Sequence, residues 1–169
     1  MGTTLPQVIA HNLTLGIGYA EGLVRDIPEE KFASMPFPNM THPAWCLGHL
    51  SLSPDRILTQ TGHSDLAQVN DDYERLFTEG SECLDDPECS IYPKKDEIVA
   101  RFVDRHRVMV SVLPDLGDDL LAAPIKNEGM REMFPSNAYM LNFVLTSHVM
   151  AHLGQISTWR RCYGLARVF

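Results

Sequence analysis

Residues 141–159 read Leu141-Asn142-Phe143-Val144-Leu145-Thr146-Ser147-His148-Val149-Met150-Ala151-His152-Leu153-Gly154-Gln155-Ile156-Ser157-Thr158-Trp159. Leu141, Val144/Leu145, His148, Ala151/His152, Gln155, Ile156 and Trp159 fall at steps of three and four, the spacing of one face of a helix. A stripe of this length has to bury against other elements, and histidines placed on it then need partners. His148 and His152 are four residues apart, so their Cβ atoms share a face about 5–6 Å apart and both imidazoles can reach one point. A first-row metal ion takes histidine nitrogens at about 2.0–2.1 Å, which suits such a pair. Backbone carbonyls, side chains or water can also satisfy two core histidines, so the pair alone leaves both outcomes open.

Working outward, Phe134-Pro135-Ser136-Asn137 opens this helix with Ser136 as its cap, and Tyr163-Gly164 closes it. The same period recurs in three other stretches. Leu5, Val8, Ile9, Leu13, Ile17, Ala20, Leu23, Val24 and Ile27 mark a first helix, capped by Thr3 or Thr4 ahead of Pro6 and ended by Pro28. Thr41 or His42 followed by Pro43 starts a second, which runs to about Gln60 with a kink expected near Leu50 to Ser53 because Pro54 lies inside it. Pro93 opens a third, with Ile98/Val99, Phe102/Val103, His106, Met109/Val110 and Leu113 on its stripe, and Pro114 stops it. A short turn is expected within Pro28 to Met35 and a short helix over Asp71 to Phe77. No alternating strand pattern occurs, so the expected fold class is all-α, a four-helix bundle forming a single domain over 1–169. The long crossover over 61–92, between helices two and three, is incompatible with a simple up-and-down hairpin series.

The chain has 169 residues, 44% of them hydrophobic and 21% charged, enough to bury a core without a metal or disulfide to staple it. A formal net charge of -8 argues against nucleic-acid and anionic-membrane partners, which draw their affinity from clustered Lys and Arg. No signal-peptide or membrane-spanning pattern is present at the N-terminus, and Cys46, Cys83, Cys89 and Cys162 form no C-x-x-C, so a cytoplasmic protein with free thiols is expected. Cys83 and Cys89 could still pair across their loop. Gly16, Gly18 and Gly22 each weaken the first helix by about 0.8–1 kcal/mol relative to Ala, which suggests close approach of a neighbouring helix or subunit.

A third histidine, His49, sits in the apolar stretch Ala44-Trp45-Cys46-Leu47-Gly48-His49-Leu50. That stretch resembles the W-x-L-G-H-L segment of the DinB/YfiT-like metalloenzymes. His148 to Ile156 resembles their H-x-x-x-H-x-G-Q-I segment. Leu76-Phe77-Thr78-Glu79-Gly80 and Tyr92-Pro93 resemble the intervening loop and the start of the third helix. The resemblance spans most of the chain. It implies an up-down-down-up four-helix bundle, usually a homodimer, holding one divalent ion through His49, His148 and His152. Relatives it brings with it include thiol-dependent S-transferases and a mycothiol-dependent maleylpyruvate isomerase. Pro54 inside the second helix departs from the pattern and puts the aim of His49 in question.

Three neutral nitrogen ligands leave a tetrahedral ion with an open position, as in catalytic zinc. Such an ion can lower the pKa of water toward about 7, or hold a thiol as thiolate. The expected function is therefore a metal-dependent enzyme, a transferase or hydrolase, that uses zinc or nickel to activate a small thiol or water for transfer to a small electrophile. A low-molecular-weight thiol is the expected cosubstrate and a small molecule the expected partner. The alternative is a non-catalytic helical bundle, a stress-linked binding or dimerisation module with core histidines. Gln155 can orient a ligand or donate to substrate, or simply bond between helices. Tyr139 faces the same choice. His106 can act as a second layer or general base, or pack in the core, and Cys46 can neighbour the metal, react, or lie buried and inert. Arg160-Arg161 can meet an anionic substrate or complement the helix terminus, and the paired aspartates at 71–72, 85–86 and 118–119 read as solvated loop charges. No Glu-x-x-His pair, H-E-x-x-H, G-x-S-x-G, P-loop or dinucleotide fingerprint is present.

Overall fold

Helix α1 (Leu5–Val24) begins on a reciprocal cap: Thr4 Oγ1 accepts from the Gln7 amide while Gln7 Oε1 accepts from the Thr4 amide at 3.0 Å. These bonds satisfy two donors that a helix start leaves without intrahelical partners. In the computed structural model, which describes residues 2–168, all regular structure is helical and no described residue lies in a strand. The remaining helices are α2 (Glu29–Phe32), α3 (Pro43–Leu50), α4 (Leu52–Gln60), α5 (Asp71–Phe77), α6 (Lys95–Val112), α7 (Asp118–Ala122), α8 (Asn137–Asn142) and α9 (Val149–Cys162). A π-helical turn, Phe143–His148, joins α8 to α9. Helix α1 packs on α6 and α9, and α3 packs on the same two, so Ile9, Leu13, Leu47, Leu50, Phe102, Met109, Leu153 and Trp159 share one core. Among the described residues, no helix is long and apolar enough to cross a membrane.

The second expected helix is broken where proline chemistry requires it. Pro54 has no N–H, and its ring presses on the carbonyl four residues back, at Leu50. The chain responds at Ser51, whose amide turns back to Leu47 O at 3.0 Å and Gly48 O at 3.2 Å and whose hydroxyl donates to Gly48 O at 2.7 Å. Helices α3 and α4 meet there.

Two of the α1 glycines serve packing within the chain. A Cβ at Gly16 would sit 3.4 Å from Val149 Cγ1 and one at Gly22 only 2.9 Å from Val168 Cγ1, whereas Gly18 faces open space. Arg160, buried on α9, donates to Leu23 O, Asp26 and Ala166 O and so clamps the end of α1. It is committed to the fold. The four cysteines are free, Cys83 and Cys89 among them.

The crossover between α5 and α6 is pinned from inside. Asp86 is buried and accepts from the amides of Ser90, Ile91 and Tyr92 at 2.9, 2.8 and 3.2 Å. Burial would raise its carboxyl pKa, but these bonds to the charged form outweigh it and hold the group below its ordinary value. Asp85 accepts from the Met35 amide at 2.7 Å. The expectation of solvated charges fails at Asp86, whose carboxylate supplies backbone partners that an irregular loop cannot, whereas Asp85 stays exposed. His42 ties the crossover to α3: its Nδ1 accepts from the Trp45 amide at 3.1 Å, which leaves Nε2–H to donate to Leu84 O at 2.9 Å.

Burial pushes both His42 and His106 down to about 4. Each is neutral in the fold and titrates near 6.5 when unfolded, so the unfolded chain binds more protons between those values. The stability they contribute is complete above about pH 6.5 and is lost as pH falls through 4, on the order of 3 kcal/mol for each group. Thermal unfolding followed from pH 7.5 to 4 should therefore show melting that begins to fall near pH 6.5. His106→Leu should flatten that fall; an unchanged slope would remove His106 from the account.

Candidate metal centre

His49 closes the last turn of α3, His148 ends the π-helical turn, and His152 lies one turn further along α9. Their rings converge through the same atom. His148 Nε2 is 3.3 Å from His49 Nε2 and 3.1 Å from His152 Nε2. The outer nitrogens fix two of the tautomers. His49 Nδ1 donates to Phe77 O at 2.7 Å and His152 Nδ1 donates to Gln155 Oε1 at 2.8 Å, so both Nε2 atoms carry lone pairs directed at the centre. His148 Nδ1 is buried without a hydrogen-bond partner.

All three rings are held neutral. Burial lowers the pKa of His49, of His148 and of His152, the last to about 4, and the neighbouring imidazoles lower His148 and His152 further. The lone pairs of His49 Nε2 and His152 Nε2 converge on His148 Nε2, which either donates its proton to one of them or presents a third lone pair to a cation. A tetrahedral ion with bonds of about 2.05 Å holds its ligand atoms about 3.3 Å apart, and an octahedral one about 2.9 Å. Two of the three separations, 3.1 and 3.3 Å, fall in that interval, and all three donor nitrogens lie within 4.8 Å of one another, so the cluster could hold a divalent ion. His49 is buried while His148 and His152 are half-buried, which leaves the cluster reachable from solvent on the α9 side.

The residues around the cluster explain the local sequence. Trp45 lies flat on His49, with ring centroids 4.8 Å apart and planes within 6°. A Cβ on Gly48 would fall 2.4 Å from the Phe77 ring, so only glycine lets Phe77 settle on α3 and bring its carbonyl to His49. Gly48→Ala should cost about 1–3 kcal/mol by overpacking and weaken zinc binding by roughly 10–100-fold through the displaced carbonyl. Calorimetric zinc titration beside a melting curve checks both; wild-type zinc affinity in the variant would show that Phe77 does not orient His49.

Gln155 is a junction: its Oε1 accepts from His152 Nδ1, from Thr41 Oγ1 at 3.3 Å and from Cys46 Sγ at 3.5 Å. It both orients a histidine and links helices. Cys46 is fully buried and its thiol is pushed up to about 12 by burial, so it is an inert neighbour at neutral pH. His106 lies outside the cluster, its Nδ1 donating to Phe102 O at 2.8 Å and its ring 4.2 Å from that of Phe102. Tyr139 is 62% exposed near the start of α8.

The expected helical stripe is displaced along the fourth helix. Leu141, Leu145, Val149 and Leu153 are the buried apolar residues, spaced by four, with Ile156 and Trp159 following at steps of three. Repeated steps of four overshoot a 3.6-residue helix by about 40° each, and the wider π-helical turn absorbs the drift. The histidines thereby move to the margin of the buried face, where solvent reaches them. Neither the π-helical turn nor the Trp45 stack was expected. The Thr146 hydroxyl, which donates to Asn142 O inside the turn, is the nearest local signal.

A family model described as the DinB superfamily matches residues 13–156. No curated protein and no solved structure matches the chain. The matched span covers most of the sequence and contains His49, His148 and His152, and on that ground the chain belongs to the DinB superfamily.

Proposed function

We infer that His49, His148 and His152 hold one divalent transition ion, zinc or nickel, and that the protein is a metal-dependent enzyme acting on a small electrophile. The observation that carries this reading is the convergence of Nε2 atoms from neutral rings at 3.1 and 3.3 Å, two of them with Nδ1–H committed outward. A bound ion would supply Lewis acidity, activating a small thiol or water at neutral pH. The chain's own residues prepare the site. Phe77 O and Gln155 Oε1 hold the rings of His49 and His152 in the binding tautomer, Trp45 shields one face of His49, and the half-exposed edges of His148 and His152 admit a small molecule. The packing of α1 and α3 on α6 and α9 supports the up-down-down-up four-helix bundle as the scaffold.

Elemental analysis of untagged protein should find close to one equivalent of a transition metal. Less than about 0.2 equivalents, unrestored by titration with zinc or nickel, overturns the assignment. Cobalt-substituted protein then separates the cosubstrates: a small thiol should add a thiolate-to-cobalt charge-transfer band, and its absence leaves water as the activated group.

A further inference from the structure

Away from the histidines, an open groove of about 280 Å³ runs between α4, the segment before α5, and α6. Leu52 and Val69 give it apolar wall, and Arg56, Arg101, Gln60 and Asn70 give it polar lining. Its arginines are incompletely used. Arg101 Nη2 donates to Asp55 Oδ2 at 2.9 Å and to Gln68 O at 2.6 Å, but its Nε is buried without a partner and its Nη1 donates to no described residue. One of the five guanidinium N–H donors, that on Nε, is thus buried and unmet on a side chain only 14% exposed, while the two on Nη1 face solvent. Arg101 is held in this pose, its guanidinium 4.7 Å from the centroid of the Tyr73 ring. Arg56 spends Nε and Nη2 on Glu74 and Thr78 and likewise keeps Nη1 free.

The carboxylates lining the groove are already engaged. Asp55 accepts from Arg101, Arg105 and the Gln68 amide, and Glu74 accepts from two nitrogens of Arg56. Donors are therefore in excess, and a ligand carboxylate would take charge-assisted hydrogen bonds from the Nη1 groups that otherwise meet only solvent. The volume lies at the small end of ligand sites, and the apolar wall calls for an apolar body. The net charge of -8 disfavours multiply charged anions.

We propose that this groove binds a small organic monocarboxylate, its carboxylate anchored by the free donors of Arg101 and Arg56 and its apolar body on Leu52 and Val69. The site is independent of the metal reading, and its test uses metal-free, chelator-free protein.

Benzoate is the probe, followed by amide NMR and calorimetry at low salt. Saturable shifts are expected at Val69 and Asn70, with benzamide binding at least tenfold more weakly because it lacks the charge. Arg56→Gln should weaken benzoate at least fivefold; the Arg56–Glu74 pair is solvent-exposed, so its loss spares the fold. Val69→Glu, at a position 70% exposed, should do the same by like-charge repulsion and serves if the first variant fails to fold. Equal affinity for benzamide, unchanged affinity in both variants, or shifts confined to His148 and His152 overturns the proposal. Inorganic phosphate binding more tightly than benzoate overturns the carboxylate class.

Discussion

His49→Ala should lose more than a hundredfold in zinc affinity, beyond the roughly 10–100-fold that removal of an outer hydrogen-bond partner costs. His148 and His152 lie on one helix and would remain as a weaker pair, whereas His49 reaches the ion only because α3 packs on α9. The ion should therefore bridge the two helices and stabilise the folded state by RT ln(1 + [L]/Kd). At a free zinc concentration a thousand times the dissociation constant that amounts to about 4 kcal/mol, or roughly 8–16 °C for a chain of this size. Wild-type protein should melt lower by this margin after chelation, and the His49→Ala variant should barely respond. His106→Ala should keep the metal, since its ring is bonded to Phe102 O outside the cluster. Metal content and melting with and without chelator decide the matter, and retention by His49→Ala with loss in His106→Ala would transfer the third ligand to α6.

Asp55→Ala should be the most damaging single change to stability. Asp55 lies 3% exposed on α4 and faces Arg105 Nη1 at 3.3 Å and Arg101 Nη2 at 2.9 Å, with the Arg105 side chain also 3% exposed. Its loss strips Arg101 of its carboxylate partner, leaves Arg105 paired with Asp104 alone, and leaves the Gln68 amide without its acceptor at 3.0 Å. Removing one partner of a buried ion pair costs about 3–5 kcal/mol, because the remaining charge stays in a medium that solvates it poorly. Urea unfolding should report that loss, whereas Arg56→Ala, which breaks an exposed pair with Glu74, should stay within about 1 kcal/mol. Equal losses in the two variants would show that burial of Asp55 does not set its energetic weight.

The sequence by itself located the four long helical stretches, the short turn after Pro28 and the short helix over Asp71 to Phe77, and it singled out the three histidines, but it gave no sign of α7. Thr4, Pro43 and Asn70 act on residues within four positions, and the break at Ser51 follows from the ring of Pro54, so spacing alone located these boundaries closely. His148 and His152 share a helix and were paired by its period, and His49 entered through its resemblance in the Trp45 to Leu50 stretch. Only tertiary structure decided what lies far apart in the chain. The carbonyl of Phe77 on His49, the clamp of Arg160 on Leu23 and Asp26, the Asp55 network with Arg101 and Arg105, and the groove beside it each join residues more than 25 positions apart. Local period specifies which face a residue occupies, but not which partner the packed chain brings to that face. The π-helical turn belongs with these: it arises where the buried residues Leu141, Leu145, Val149 and Leu153 keep facing the core, a requirement that packing against α1 and α3 imposes.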